Sequence, residues 1–470
     1  MERRAGLLLA LLFVVTLPAV TPRIYASDEI QYFAYLRSLW FDRDVSFENE
    51  YRWFYDRGIA ASPGFHETFL ERTTETGRRI NFGTIGSALL WAPFYAVGDL
   101  VARARAGSDP SVAVDGFSAP YIAAVAYGSA AYGMLALWLS IRIARRLVGP
   151  ALAPALAVLC GTPLVFYMYV APPMSHACSA FAVALFTLTW LRARETWSPG
   201  WAVALGLSGA LMAMVREQDL FFVAGPALDW LRTLALARTP RATVVRAGVV
   251  GAVSAAAGFV PQALAYLSLN GYMFPSRLVT RKMTWTAPHA LDVLTSTSHG
   301  FLVWTPLAAL AILGLAWMVL TADPPATPFS VDDRPRRRQD VRWIAVCLLA
   351  MVALQVYVAG SVESWTVAGA FGQRRFVAVS ALLTVGLSVW WAHARTRAAR
   401  RVLVAAFMLG AWWNLGLIVQ FGMRLMDRQR LEPARNAYTS FVELPRMLPG
   451  IVARYFGARD SFYEQKPPTP

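Results

Sequence analysis

Uninterrupted apolar blocks, several of them 18 residues long or longer, recur along this chain with almost no charge inside them. A hydrocarbon core of about 30 Å is crossed by roughly 20 such residues in an α-helix. In lipid every backbone amide must bond within the protein, so blocks of this length indicate helices. Strands of a β-barrel would be roughly 10 residues long and would alternate in polarity. The sequence therefore predicts an all-α, polytopic transmembrane helical protein.

Composition agrees with this class. Of 470 residues, 56% are hydrophobic and 16% are charged, whereas a soluble chain has roughly a quarter of its residues charged. The formal charge of +15 would suit a nucleic-acid-binding protein, but the arginines flank the apolar blocks, as the positive-inside rule describes. We therefore expect membrane lipids and no nucleic acid among the partners. The three cysteines are scattered through apolar stretches, which argues against a disulfide framework.

The blocks predict about eleven spans. They are Ala5–Ile24, Pro120–Ile141, Ala151–Val170, His176–Leu191, Gly200–Val215, Leu220–Leu234, Ala247–Leu269, Gly300–Leu320, Trp343–Ala359, Phe376–Ala394 and Val402–Gly422. The first block could also be a cleaved signal peptide. The residues before a cut after Ala26 do not form an Ala-x-Ala pattern, so an uncleaved first helix is favoured.

Basic residues cluster at every second connection between the predicted spans. One side of the membrane receives 20 basic and 7 acidic residues, and the other receives 24 basic and 22 acidic residues. Because the positive side faces the cytoplasm, we expect a cytoplasmic N-terminus and an outside C-terminus. The localisation that fits is an integral protein of the bacterial inner (cell) membrane.

A long polar stretch, residues 25–119, follows the first span and is predicted to be an outer-face loop that carries amphipathic surface helices. Within it, Gly83–Ala102 is moderately apolar and could be a further span. The basic clusters that follow in the chain all fall on the cytoplasmic side only if this segment does not cross the membrane. We therefore expect Gly83–Ala102 to lie on the outer membrane surface. Residues 1–422 then form one transmembrane domain, and residues 423–470 form an extracytoplasmic tail.

Two acidic motifs lie near the start of this loop. Asp28 and Glu29 follow the first span closely, and a carboxylate held at a helix end near the membrane can act as a general base on an acceptor hydroxyl. The alternative is a solvated pair that ends the span. Asp42 and Asp44 could share a divalent ion through hard oxygen ligands, or they could be surface charges, so metal dependence stays open.

Basic residues at the predicted outer face form two groups, Arg374 with Arg375 and Arg281 with Lys282. Adjacent arginines at an outer edge oppose the usual charge bias, and their guanidinium groups bind phosphate bidentately. The alternative role for both groups is snorkelling to lipid headgroups.

Three further polar residues begin or join helices at the same face. His176 and His299 stand at predicted outer helix starts, and Glu217 lies in the short Arg216–Asp219 hairpin. Each is a candidate for substrate contact. The structural alternatives are a buried histidine at each helix start and an ion pair of the hairpin acids with Arg216.

This layout resembles the GT-C superfamily of membrane glycosyltransferases, in particular the protein O-mannosyltransferase and lipid A aminoarabinose transferase group. The likeness covers about residues 1–420: a first helix, a long outer loop with surface helices, an Asp-Glu pair at its start, and a total of about eleven spans. The resemblance implies that Asp28 is the catalytic base. It also implies a polyprenyl-phosphate sugar donor whose phosphate is held by basic residues on later outer loops, which Arg374 and Arg375 match in type and location. Arg281 and Lys282 are further candidates for binding this phosphate. The family's His-Pro-Pro-Leu or Lys-Pro-Pro-Leu element does not occur in this sequence.

We therefore expect an inverting glycosyltransferase that acts on an acceptor lipid, glycan or protein and requires no cofactor. A transporter or flippase of lipid-linked sugars could use the same arginines, but it should show a polar path through the spans. A third interpretation is a non-catalytic membrane scaffold, for which Asp28 would be dispensable.

Overall fold

A computed structural model describes residues 2–237, 239–321, 334–367 and 369–462. These ranges contain helices and no strand, with isolated bridges only at Thr73–Arg79 and Met283–Val362. The all-α prediction is confirmed. Most of the predicted cytoplasmic loop at 323–340 and the end of the tail at 463–470 lie outside the described residues.

The helices vary widely in length. In chain order they are α1 Glu2–Thr16, α2 Ser27–Arg37, α3 Glu48–Asp56, α4 Pro63–Phe65, α5 Gly86–Ala106, α6 Ala119–Leu147, α7 Leu152–Gly161, α8 Leu164–Tyr169, α9 His176–Thr196, α10 Pro199–Val215, α11 Ala224–Leu236, α12 Arg241–Asn270, α13 Arg277–Thr280, α14 Ala290–Thr295, α15 Phe301–Trp304, α16 Pro306–Thr321, α17 Arg334–Ser361, α18 Ser380–His393, α19 Arg397–Gly422, α20 Pro433–Tyr438 and α21 Leu444–Gly457. Tighter 3-10 turns at Glu217–Val223 and Arg374–Val379 lead into α11 and α18.

Six helices among the described residues are long and apolar enough to cross a membrane: 119–147, 176–196, 241–270, 339–361, 374–393 and 397–422. Four shorter apolar helices, at 4–19, 152–161, 199–215 and 306–321, match further predicted spans. The structure thus agrees with a membrane protein that has several transmembrane helices. The count of eleven spans and the orientation of the termini stay predictions.

Several of these helices carry apolar side chains that no part of the protein covers. Leu7 on α1, Val253 on α12 and Val402 on α19 are 69%, 63% and 71% exposed. Apolar patches of this extent are rare on soluble monomers and mark membrane or protein contacts. Lipid is the surrounding that suits them.

Two predicted spans are broken by proline. The block 151–170 is divided between α7 and α8 at Thr162–Pro163, and the block 300–320 is divided between α15 and α16 before Pro306. Proline lacks the N–H of a helical bond and clashes with the preceding turn. At the first break, the Asn414 side chain donates to the carbonyl oxygens of Cys160 and Thr162 at 2.8 and 2.9 Å. The protein thereby satisfies two carbonyl groups that the broken helix would leave without a partner.

Glycines allow the closest helix contacts in the bundle. A Cβ atom on Gly206 of α10 would lie 2.2 Å from the Gly251 carbonyl oxygen of α12. The same holds for Gly314 of α16, whose Cβ would lie 2.1 Å from the Gly386 oxygen of α18. Small residues let helix backbones approach in this way in membranes, where packing replaces the hydrophobic effect between helices.

The segment between α2 and α6 has an aromatic core of its own. Phe33 of α2 contacts the rings of Phe54, Tyr95 and Phe117 at centroid distances of 5.9 to 6.2 Å. Helix α5 runs antiparallel to the first half of α6, where the Tyr121 hydroxyl donates to Asp99 at 2.6 Å. This packing fixes α2, the helix that carries the predicted base, against the transmembrane bundle.

Candidate functional site

Asp28 lies in the first turn of α2, with its side chain 37% exposed. A carboxylate is favoured there because the unpaired N–H groups of a helix N-terminus carry a partial positive charge. Its Oδ2 atom lies 2.6 Å from Nη1 of Arg374. The structure therefore brings together the predicted base and one predicted phosphate-binding arginine, which are far apart in the sequence.

The neighbouring acid, Glu29, points away from this pair. It is fully buried, and its Oε2 atom accepts hydrogen bonds from the backbone N–H groups of Tyr25 and Ala26 at 2.9 and 3.0 Å. This is the return half of a capping box, which secures the start of a helix. Burial raises the pKa of Glu29 to about 7, although the two N–H donors act in the opposite direction. The two acids thus have different environments and different contacts.

Arg374 is held in place through its backbone. Just before it, the Tyr167 hydroxyl contacts both the N–H and the carbonyl oxygen of Phe371, at 3.2 and 3.1 Å. Gly372 has a φ of +58°, and a Cβ there would lie 2.8 Å from Cγ of Pro163. Only glycine meets both conditions without strain. The turn that presents Arg374 to Asp28 is therefore locked against α8.

Arg375 has a different surrounding from Arg374. It is 8% exposed, and its guanidinium donates to the carbonyl oxygens of Ser364 and Trp365 and to the Ser364 hydroxyl at 3.0 to 3.4 Å. Its own carbonyl accepts from the Gln355 side chain at 2.7 Å. These contacts tie the 361–367 loop to α17 and α18. Arg375 supports the turn, and Arg374 faces the carboxylate.

His176 and Arg216 form a second polar pair beside the first. His176 begins α9, is 2% exposed, and meets the Tyr167 ring edge to face at 4.4 Å. Arg216 directly follows α10 and donates to the imidazole, with its Nη1 atom 2.5 Å from Nδ1 and 3.2 Å from Nε2. A nitrogen that accepts from a guanidinium must be unprotonated, so the pair carries one positive charge, that of Arg216.

These groups form one cluster with excess positive charge. Burial raises the pKa of Tyr32, which lies one turn after Asp28 on α2, and the nearby charges of Arg216, Asp28 and Arg374 also act on it, the two arginines lowering the pKa and Asp28 raising it. A further acid, Asp219, lies within the field of Arg216 and accepts from the Ser179 hydroxyl at 2.6 Å. Burial raises the pKa of Asp219 to about 6, which weakens it as a counter-ion.

The remaining predicted residues lie around this cluster. Lys282 is exposed, and its ammonium stands 5.7 Å from the ring centroid of Phe82, whose N–H donates to Gln31 of α2. Arg281, next to it, is exposed as well. Both cations therefore belong to the segment after α13, and neither contacts Asp28.

Glu217 and His299 have structural partners. Glu217 accepts from the Tyr266 hydroxyl of α12, and burial raises its pKa to about 7. His299 contacts the Ala370 carbonyl oxygen at 2.9 Å and stacks on Trp304 at 4.6 Å, while burial lowers its pKa. His299 thus supports the loop that leads to Arg374.

Asp42 and Asp44 each have partners within the protein. Asp42 accepts from Arg37 and from the Asn49 side chain, and Asp44 accepts from the Ser38 hydroxyl at 2.7 Å. Among the described residues, no group of three or more His, Cys, Asp or Glu side chains is arranged to hold a metal ion.

Arg216 and Tyr167 are the site residues that the sequence alone did not single out. Arg216 entered the sequence analysis only as the ion-pair partner in the structural alternative for its hairpin acids, and in the structure it bonds to His176. Its position at the end of a predicted span, like that of Arg374, was the available signal. Tyr167 lay inside a predicted span and offered none.

No family model and no curated protein sequence matches this chain. The geometry of the cluster is therefore the basis for a functional proposal.

Proposed function

We propose that the chain is a glycosyltransferase that moves a sugar from a polyprenyl-phosphate donor to an acceptor at the extracytoplasmic membrane face, with inversion and with Asp28 as general base. The observation that carries the proposal is the 2.6 Å contact between Asp28 and Arg374. A base and a phosphate-binding group must be close enough to act on the same donor sugar, and without donor these two side chains are in contact.

The reaction needs one proton transfer and one displacement. The Asp28 carboxylate takes the proton of the acceptor hydroxyl or amine, whose oxygen or nitrogen attacks the anomeric carbon of the sugar. The bond from that carbon to the phosphate oxygen breaks, and its electron pair leaves on the lipid phosphate. Fixed positive groups aimed at this developing charge stabilise the transition state without reorganisation.

Arg374 has two successive partners in this scheme. Without donor it neutralises Asp28. The phosphate of the donor has two non-bridging oxygens, which can accept two parallel hydrogen bonds from one guanidinium. The donor therefore competes with Asp28 for Arg374. Donor binding thus frees the carboxylate for the acceptor proton. Arg216, braced by His176, supplies a second positive charge to the phosphate.

The position of α2 supports a lipid-linked substrate. The apolar helix α1 is followed by a 3-10 turn at Leu17–Ala19 and a short extended stretch before α2 begins at Ser27. If α1 crosses the membrane, Asp28 lies just above the lipid, at the height where a polyprenyl phosphate presents its anomeric carbon. The proposed location is a bacterial inner membrane, with the N-terminus in the cytoplasm.

A transporter of lipid-linked sugars is the alternative. Discontinuous helices, such as α7–α8, line substrate sites in many transporters. Here Asn414 bonds to the two carbonyl groups at the break, which favours a closed, structural break. The transporter requires no chemical step, so it predicts that labelled sugar never leaves its lipid carrier.

The test is transfer of label from a panel of polyprenyl-phosphate hexoses and pentoses, in membranes with and without this chain. The proposal predicts that the chain makes label appear in a product that resists the mild acid that cleaves the donor. Label that stays on the polyprenyl carrier for every donor would contradict an enzyme and favour transport.

A further inference from the structure

A cavity of about 660 Å³ opens beside the start of α2. Its walls come from Tyr25 and Ser27 and from eight residues of the segment after α3: Ile59, Ala60, Ala61, Ser62, Gly64, Phe65, Thr68 and Phe69. Small-molecule sites commonly have volumes of roughly 300–1,000 Å³. The cavity is therefore large enough for a substrate and not only for water.

The cavity lies next to the proposed base. Ser27 lines it, and Asp28 is the following residue, so their Cα atoms are about 3.8 Å apart. Tyr25 lines it as well, and its hydroxyl contacts the Val170 carbonyl oxygen at 3.4 Å, on the stretch that leads to His176. Asp28 itself is not a lining residue, and the cavity and the proposed base share the first turn of α2.

The walls of the cavity are preformed. Phe65 and Phe69 are 5% and 6% exposed and pack against each other in a tilted arrangement and against Tyr51 edge to face, at centroid distances of 5.0 to 5.9 Å. The Tyr51 hydroxyl donates to the Ile80 carbonyl oxygen at 2.9 Å. A site built on such a packed cluster needs little ordering when a ligand binds, which favours affinity.

The chemistry of the lining selects an uncharged ligand. Its ten residues include the hydroxyl groups of Tyr25, Ser27, Ser62 and Thr68 and no lysine, arginine, histidine, aspartate or glutamate. The lining itself offers a charged ligand no opposite charge, whereas its hydroxyl groups can bond to an uncharged one. The positive charge of the site lies on Arg374 and Arg216, where the donor phosphate is proposed to bind.

We infer that this cavity binds the acceptor, and that the part of the acceptor it holds is a neutral saccharide; the inference rests on the proposed glycosyl transfer. Hydroxyl groups can exchange hydrogen bonds with a polyol, and aromatic and alkyl walls can cover the apolar faces of its rings. An extended peptide would need free backbone groups, as at a sheet edge. Much of this wall is helical, with its backbone bonds already made.

Gly64 allows the cavity to be filled without strain. It lines the cavity, its φ is not in the left-handed region, and a Cβ there would meet no atom within 4 Å. Gly64→Trp should occupy the space with an indole ring. Gly107→Trp is the matched control, since Gly107 has a φ of −76°, an equally open surrounding and no part in the cavity.

The first arm measures binding to purified protein in detergent, without donor. The probes are neutral tetrasaccharides of mannose, glucose and N-acetylglucosamine, a tetragalacturonate as the anionic counterpart, and a Ser/Thr-rich peptide. We expect at least one neutral tetrasaccharide to bind wild type and Gly107→Trp, with a Kd about tenfold or more weaker for Gly64→Trp. Binding of none of them, or equal binding by Gly64→Trp, overturns the inference. A preference for the tetragalacturonate or the peptide overturns it as well.

The second arm measures transfer with a donor that wild type uses. Gly64→Trp should raise KM for the acceptor about tenfold or more, with no matching rise in KM for the donor. A rise in donor KM alone would mean that the cavity holds the polyprenyl chain, and would overturn the acceptor assignment. If wild type binds a neutral tetrasaccharide but transfers no sugar from any donor, the proposed function fails while the saccharide site stands.

Discussion

Replacing Arg374 by alanine removes the guanidinium that lies 2.6 Å from Asp28 and that is proposed to bind the donor phosphate. A hydrogen bond to a charged group contributes about 1.5–3 kcal/mol. Since 1.36 kcal/mol is a factor of ten in rate, loss of one such bond lowers kcat/KM for the donor roughly 10- to 150-fold. Arg374→Lys should recover only part of this loss, because a point charge does not reproduce the bidentate fork.

The fold should tolerate the change at Arg374. The two side chains of the ion pair are 21% and 37% exposed, so water reaches both of them and the pair contributes less to stability than a fully buried pair does. Asp28 can then be hydrated when Arg374 is absent. We therefore expect the Tm of Arg374→Ala in detergent to stay close to that of wild type.

Arg375→Ala is the informative comparison, since it removes a neighbouring arginine with a different surrounding. The Ser364 carbonyl oxygen, which now accepts at 3.0 Å, would lose this donor, at a cost of about 1–3 kcal/mol. A clear fall in Tm should accompany its loss of activity.

The assay is kcat and KM for the donor, measured on monodisperse protein together with Tm. Unchanged donor kinetics in Arg374→Ala would remove Arg374 from the site. A fall in Tm as large for Arg374→Ala as for Arg375→Ala would refute the distinction between a ligand-facing and a supporting arginine.

Three further predictions concern stability and topology. Burial raises the pKa of Glu29 from 4.5 to about 7. Between these two pH values the native state keeps a proton on Glu29 that the unfolded chain releases. The contribution of Glu29 to the unfolding free energy therefore declines as the pH rises from 4.5 to about 7. Glu29→Gln should therefore flatten the fall of Tm between about pH 5 and pH 8, and an unchanged slope would contradict the assignment. Asp229 is 1% exposed and pairs with Arg194 at 2.8 Å, so Asp229→Ala should destabilise the protein by roughly 3–5 kcal/mol; a Tm equal to that of wild type would show that Arg194 finds another partner. A reporter fused at Gly107 should be located outside, and an inside location would mean that Gly83–Ala102 crosses the membrane.

The sequence was sufficient to predict the class of fold and two residues of the candidate site, Asp28 and Arg374. Apolar blocks of bilayer length indicate helices irrespective of their neighbours. Asp28 and Arg374 were each singled out because a charge at the predicted outer end of a span needs an explanation. Their meeting depends on how α2 and the turn before α18 pack, and no local pattern contains that information.

Other features depended on contacts that are distant in the chain. The break at Thr162–Pro163 is satisfied by Asn414, which belongs to the last long helix. The different environments of Arg374 and Arg375 depend on the Ser364 loop, and adjacent identical residues cannot be told apart by composition. Arg216 was assigned to its nearest acids, whereas tertiary packing gives it His176.

The central claim is that Asp28 is the base, and the most direct measurement is sugar transfer by Asp28→Asn. Asparagine keeps the size of the side chain but cannot accept the acceptor proton, so we expect folded, membrane-inserted protein with transfer reduced roughly 10²–10⁴-fold. Glu29→Gln, which keeps an acceptor for the capping N–H groups, should lose much less. Asp56→Asn, at an exposed acid that ends α3, controls for the loss of one surface charge. Near-normal transfer by Asp28→Asn, with or without a loss in Glu29→Gln, would contradict the account.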